Sequence, residues 1–454
     1  LLSFITWSKP AFHGIVVGME TRQFLDLLKR ELMIAMGCTE PAAAALAGAK
    51  AGMLLGEPVE KLDISASRDM VKNAMGVGLP NCTMRGIQAA VALGAAGGDI
   101  ARGLGILSEI SESQKLAAAR YSQEGKVALQ LLEDVPPVYI GVVASGLQHS
   151  AEAVISGEHS RFVRLRKDEG MLLDLPLAVA EESRVDDSFT NEMIANLSLQ
   201  DIVDAANRIA VEELDFVLQG AKTNMAIARH AMEHEYGLAV GRTMGSSLPE
   251  VPTSLDDAYA LGAALAASAS DARMAGCPLP VVINSGSGNQ GITVSVPLLV
   301  MASHLGIADA MLVRALFVSH LVALVLTAKK DRLSALCGAF TAAIGTACGL
   351  VYLQGGSVDA LDMAVNNMVG NLTGIICDGA KGTCALKIYS SVQAAAVSSR
   401  LALKGMSPRD ESGIVGRDAL QSFSYLTQIS HEGMEQTDRT ILAIMMGKQE
   451  VCER

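Results

Sequence analysis

In "ICDGAKGTCALK", residues 376–387, Cys377 and Cys384 bracket two glycines in a chain otherwise built from apolar helices, and Cys337 stands upstream. Thiols so placed can form a disulfide, bind zinc, ligate an iron-sulfur cluster, act in catalysis or simply fill a core. On one unbroken helix Cys377 and Cys384 would lie about 10 Å apart along the axis, too far to share one ion easily. Gly379 and Gly382 are expected to break that helix into a short loop, which can turn both sulfurs toward a common centre and offer backbone N–H groups to them. Zinc sites favour tighter pairs such as Cys-x2-Cys, so the wider spacing suits a cluster better than a single ion. Three thiolates on a four-iron cluster leave one iron open as a Lewis acid. Ordinary core packing, common for buried cysteine, is the competing reading.

Three further stretches could do chemistry. In "MGCTEP", residues 36–41, Cys38 stands just before a helix start. A helix N-terminus favours a thiolate, so the Cys38 pKa is expected to fall and the thiol is a candidate nucleophile or general base; a small buried residue at a turn is the alternative. "NSGSGNQG", residues 284–291, follows the apolar "LPVVI". Its backbone N–H groups, with the amides of Asn289 and Gln290, suit an anion such as a substrate carboxylate. It lacks the lysine of a P-loop and the spacing of a dinucleotide fingerprint. "VKNAMGVGLPN", residues 71–81, sets Lys72 and Asn73 before two glycines and a proline, a second polar loop or a structural turn. His230 and His234 in "HAMEH" share a helix face but lack the glutamate of a zinc protease, and read as a solvated face.

The positioning elements follow from periodicity. Phe24, Leu27, Leu28, Leu32, Ala35 and Met36 recur at helical spacing, with Gly37 as the stop. A second helix starts at once, with Thr39 as its cap, Glu40 in its positive first turn, Pro41 tolerated there and a small-residue body suited to close packing. "KLDISAS" and "VYIGVVAS" read as strands, and "AEAVISGEHSRFVRLRKDE" as a hairpin turning at residues 157–159. From about Leu197 onward the pattern is helical. The fold class expected is α+β, a predominantly helical catalytic domain with a smaller mixed α/β unit inserted after the N-terminal helices. Its expected divisions are a leader outside the fold (1–18), N-terminal helices joining the helical domain (19–60), the mixed unit (61–180) and the helical domain with the cysteines (181–454).

Composition narrows the function. Half of the 454 residues are hydrophobic while aromatics make up only 4%, so Ala, Leu, Val, Ile and Met must fill a tightly packed helical interior. Mean hydropathy is +0.33, and "MLVRALFVSHLVALVLTA", residues 311–328, approaches the length of a membrane span. Arg314 and His320 interrupt it, which favours a buried core helix. The net charge of -12 argues against nucleic acid and anionic membrane as partners and leaves a small molecule; a homo-oligomer is left open. Eight cysteines at irregular spacing fit a reduced cytoplasmic chain better than a disulfide scaffold.

Taken in order, "GCTEP", "KNA" with "LPN", "GSGNQG" and "CDGAKGTCALK" resemble the L-cysteine desulfidase family, related to the α-chain of iron-sulfur L-serine dehydratases, over most of the chain. The resemblance implies a 4Fe-4S cluster on Cys337, Cys377 and Cys384, with Cys38 as proton acceptor. The substrate is then a small amino acid. Asn289 and Gln290 are expected to hold its carboxylate, and Thr39 and Asn73 to line the same pocket. The implied reaction is elimination of sulfide from L-cysteine to leave pyruvate and ammonia; dehydration of L-serine uses the same parts, and a non-catalytic amino-acid sensor is the third reading. No lysine sits in a recognisable pyridoxal-phosphate setting. Cys452, in the tail, could reach back to the open iron or be incidental.

Overall fold

The computed structural model describes residues 19–177, 191–330 and 334–452. The expected leader, residues 1–18, lies outside them, as does the side chain of Cys452, so neither expectation meets an observation here.

Helix α1 (Thr21–Glu31) buries Phe24, Leu25, Leu27 and Leu28. The expected run of this helix to Met36 is corrected: it ends at Glu31, and Ile34–Ala35 form a short strand, β1. Gly37, at φ +69, is thus the turn from that strand into α2 (Thr39–Leu55) rather than a helix stop. After α2 come β2 (Lys61–Ser67), α3 (Arg68–Ala74), α4 (Gly86–Ala95), α5 (Glu112–Gln123), β3 (Val127–Leu132), β4 (Tyr139–Ser145), β5 (Ser150–Ser156), β6 (Phe162–Lys167) and β7 (Gly170–Asp174). Six of these strands make one mixed sheet in the order β3-β2-β4-β5-β6-β7, parallel only between β2 and β3. The expected hairpin is β5 and β6, antiparallel across the turn that carries His159.

The remaining chain is helical: α6 (Asn191–Ala195), α7 (Leu199–Arg208), α8 (Asp215–Glu233), α9 (Val240–Gly245) and α10 (Leu255–Met274) precede the two-residue strand β8 (Val281–Val282). Then follow α11 (Gly288–Leu305), α12 (Asp309–Lys330), α13 (Gly338–Leu353), α14 (Val358–Leu372), α15 (Cys384–Ala402), α16 (Ala419–Gln428) and α17 (Glu435–Cys452). The fold is α+β with a helical majority. The apolar helix α12 is mostly inside the protein, 83% of its most hydrophobic window being buried.

Two hydrophobic cores result. The larger joins α1 to the helices from α7 onward. The smaller packs α2 and α4 on the sheet and takes Leu442 from α17. Close approach of α2 and α4 depends on small residues: a Cβ on Gly94 would lie 1.9 Å from the Ala45 carbonyl oxygen, so only glycine lets these backbones touch.

Candidate active site

The three thiols are gathered by backbone pairing. Cys337 precedes the first turn of α13, Cys377 follows α14 and Cys384 opens α15. A lone antiparallel bridge pairs Leu336 with Ile376; the Cys337 N–H donates to the Ile375 carbonyl at 3.2 Å and the Cys377 N–H to Ala335 at 2.7 Å. Cys337 and Cys377 are thereby brought to hydrogen-bonding distance, the Cys337 thiol donating to the Cys377 sulfur. The expected break between Cys377 and Cys384 is present. Gly379, at φ +91, makes it, and a Cβ there would lie 2.1 Å from the Lys72 carbonyl oxygen, whereas a Cβ on Gly382 would have ordinary room. The turn returns the Cys384 thiol toward the Gly379 carbonyl at 3.8 Å.

Cations surround these sulfurs. The Cys337 hydrogen bond pulls the Cys377 pKa down to about 6 against its burial, helped by Lys72, the Gly379 N–H and Lys387. Cys337, as the donor of that pair, is held well above its usual range. Burial raises Cys384. Asp378 ties Lys381 and Lys387 into the loop, and Lys387 donates to the Ile376 carbonyl at 2.9 Å. Among the described residues no three His, Cys, Asp or Glu side chains close around a single metal ion. Three thiols spread over one wall, with cations behind them, fit instead a larger group that takes several thiolates, and binding it would part Cys337 from Cys377.

Facing this wall is the start of α2. The ladder of β1 with β8 pairs Ile34 with Val282 and Ala35 with Val281, which delivers Cys38 beside the turn at residues 284–287. In that turn Ser285 and Gly286 take positive φ of 55 and 78, and Asn284 and Ser287 exchange both backbone hydrogen bonds. Thr39 is not the cap of α2. Cys38 holds that position without a side-chain bond, and the Thr39 hydroxyl donates to the Gly286 carbonyl at 2.9 Å.

Cys38 overturns the expectation of a lowered pKa. The thiol is 5% exposed, and burial pushes it up to about 12 although Arg273 opposes this. Desolvation outweighs the helix terminus here. Arg273 reaches the Cys38 sulfur at 3.5 Å while its Nε donates to the Gly37 carbonyl at 3.0 Å.

One cleft of about 790 Å³, its open mouth included, is lined by Cys38, Thr39, Asn73, Asn289, Gln290, Cys337, Cys377 and Cys384, which brings these eight residues into one place. Their states differ. The Asn289 carboxamide is buried, its Oδ1 unpartnered and its Nδ2 touching only the Met274 sulfur at 3.8 Å. Gln290 is more committed: its Oε1 accepts from Thr327 at 3.4 Å, and its amide lies against Gly338. Arg273, Lys330, Lys387 and His159 also line the cleft and were not singled out. His159 reaches it from the β5–β6 turn, so the sheet unit contributes to the site. A charged residue at the end of the Ala-rich α10 was the one available sign of Arg273. His230 and His234 lie outside the cleft, stacked at 4.0 Å, with His230 bonded to the Tyr236 hydroxyl at 3.0 Å.

The family comparison places the chain among serine dehydratase-like lyases. It belongs to the family of the serine dehydratase alpha chain, whose model matches residues 101–443, a family that is generally iron-sulfur dependent. Over nearly its whole length it is also similar to UPF0597 proteins. That of Oleidesulfovibrio alaskensis is 39% identical over 430 residues, 95% of this chain and 99% of the relative. That of Bacteroides thetaiotaomicron is 37% identical over 434 residues, again 95% and 99%, and that of Aeromonas hydrophila 36% over 441 residues, 96% and 98%.

Proposed function

We propose that the chain converts L-cysteine to pyruvate, ammonia and hydrogen sulfide in the reducing cytoplasm, using a 4Fe-4S cluster held by Cys337, Cys377 and Cys384. The observation that carries the choice of substrate is a small apolar, sulfur-rich cluster at the cleft, where Cys38, Ala380 and Cys384 line the wall and Val77 and Met274 pack behind them. A substrate thiol buries there at little cost. A hydroxyl would give up its water partners for none, a loss of about 1–3 kcal/mol.

The cluster, when bound, supplies an open iron as Lewis acid for the departing sulfur. The chain's own residues do the rest. Asn289, with its carboxamide unspent, and the Arg273 guanidinium orient the substrate carboxylate; Thr39 and Asn73 shape the pocket around it. Cys38 Sγ takes the α-proton. Because burial holds it as a thiol, its thiolate is rare at neutral pH but strongly basic, and Arg273 is the charge that stabilises it. Loss of the α-proton and of HS⁻ forms the Cα=Cβ bond of aminoacrylate, which tautomerises to the imine and takes up water to release pyruvate and ammonia. Seven cysteines among the described residues are free, which fits a reducing compartment.

The test uses protein reconstituted with iron and sulfide under anaerobic conditions. L-Cysteine should yield sulfide and pyruvate in equal amounts. Pyruvate from L-serine with no sulfide from L-cysteine would make the chain a serine dehydratase, and binding of either amino acid without product would make it a sensor.

A further inference from the structure

We infer that Lys72 is the resident counter-cation of the thiol centre, and that Asp438 on α17 is the countercharge that tempers it. The inference rests on the assignment of the cluster to Cys337, Cys377 and Cys384.

Lys72 is 1% exposed, and a buried ammonium persists only when paired. Its Nζ lies 2.5 Å from Asp438 Oδ1 and 3.4 Å from Asp69 Oδ1. The second Asp438 oxygen takes Arg68 Nε at 3.1 Å, so one carboxylate from the C-terminal helix bridges two cations of α3. Apolar contact already joins these elements: Leu442 of α17 shares a core with Met70 and Val71 of α3. The ions are therefore not needed merely to dock the helix. What they fix is the place of Lys72. Its carbonyl packs where a Cβ on Gly379 would be 2.1 Å away, and its Cγ is 3.5 Å from the same point, two residues beyond Cys377. The residue after Lys72, Asn73, lines the cleft.

A fixed cation beside a cluster stabilises its reduced, more negative form and so raises its reduction potential. Asp438→Asn removes the countercharge while Asp69, 3.4 Å from the ammonium, still holds it beside the Gly379 turn, and should raise the potential. The double variant Lys72→Met with Asp438→Asn leaves the net charge unchanged while deleting the nearer charge, and should lower it. Wild type and both variants are to be reconstituted anaerobically, their iron content measured and their clusters titrated for potential. Opposite shifts at equal iron content support the inference. Equal potentials, or shifts of one sign, overturn it, because a purely structural ion pair predicts no reversal. If Asp438→Asn fails to fold, the double variant, which strands no lysine, decides alone: a potential at or above wild type overturns the inference. Wild type that binds no iron would instead overturn the cluster assignment.

Discussion

At Cys38 a buried thiol meets the Arg273 guanidinium at 3.5 Å. Its place before a helix was legible, but the Arg273 beside it and the depth of its burial depend on a contact between segments far apart in sequence. Cys38→Ala should keep iron and lose at least about a hundredfold in kcat, as expected when a general base is removed. His159 is the rival base, since it lines the cleft and a neutral imidazole nitrogen can take up a proton. If Cys38→Ala retains turnover while His159→Gln loses one limb of the pH profile of kcat/KM, the role passes to His159. For the thiol centre, single replacement of Cys337, Cys377 or Cys384 by Ser should abolish the visible absorption of the reconstituted protein and most of its iron. A full complement of iron in any of the three removes that residue from the ligand set. The cysteines and Asn289 could be found because their local sequence is unusual. His159, in a polar hairpin turn, carried no such mark, because only the folded sheet aims it at the cleft.

At the scale of elements, two glycines that look equivalent in sequence do different things. Gly379 needs both a positive φ and the absence of a Cβ, while a Cβ on Gly382 would meet only the Leu238 side chain at an ordinary 3.8 Å. Gly379→Ala should therefore cost at least about 1–3 kcal/mol of stability, the usual range for backbone strain, and Gly382→Ala less than about 0.5 kcal/mol; urea unfolding compares them, and equal costs would mean that the Gly379 turn is not required. Helix α12 carries a second constraint. His320 is fully buried in it, its Nδ1 accepting from the Asn284 amide at 3.1 Å, and the Asn284 carbonyl in turn accepts from Ser285 at 2.7 Å on the cleft side. Burial pushes His320 down to about 3. The unfolded chain, with an ordinary histidine near 6.5, then binds the proton that the folded chain refuses. The stability involved is complete above about pH 6.5 and is lost as pH falls toward 3, at up to about 1.4 kcal/mol per unit. His320→Gln keeps an acceptor for Asn284 and cannot take the proton, so the fall in melting temperature over that range should be shallower. An unchanged slope would assign the acid sensitivity elsewhere. The strand and helix periods foretold most elements, but not β1. Two residues carry no period, and they pair only because β8 is present.

Across the whole molecule, α2 belongs to two structures at once. Its body packs on α4 and the sheet, while its first residues, Thr39 and Glu40, line a cleft whose three gathered thiols, Cys337, Cys377 and Cys384, stand just before α13, in the loop between α14 and α15 and at the start of α15. Position along α2 is set far from that cleft, at the backbone contact between Gly94 and Ala45. Gly94→Ala forces the two helices apart and should cost about 1–3 kcal/mol by overpacking. A rigid helix transmits the shift to its N-terminus, where the Thr39 bond to Gly286 fixes the cleft floor. Catalytic geometry is sensitive at that scale, a misplacement of about 1 Å costing up to roughly a hundredfold. The expected outcome is a fall in kcat/KM for L-cysteine by at least about tenfold, with iron content and visible absorption unchanged, because none of the three thiols is carried by α2. The comparison is a variant matched for stability loss in the larger core, such as Leu361→Ala on α14, assayed at a temperature where both remain folded. If Gly94→Ala lowers stability but leaves kcat/KM at the wild-type value, α2 does not connect the sheet unit to the site. Loss of iron in the same variant would show that the two walls of the cleft are coupled more tightly than their separate helices imply.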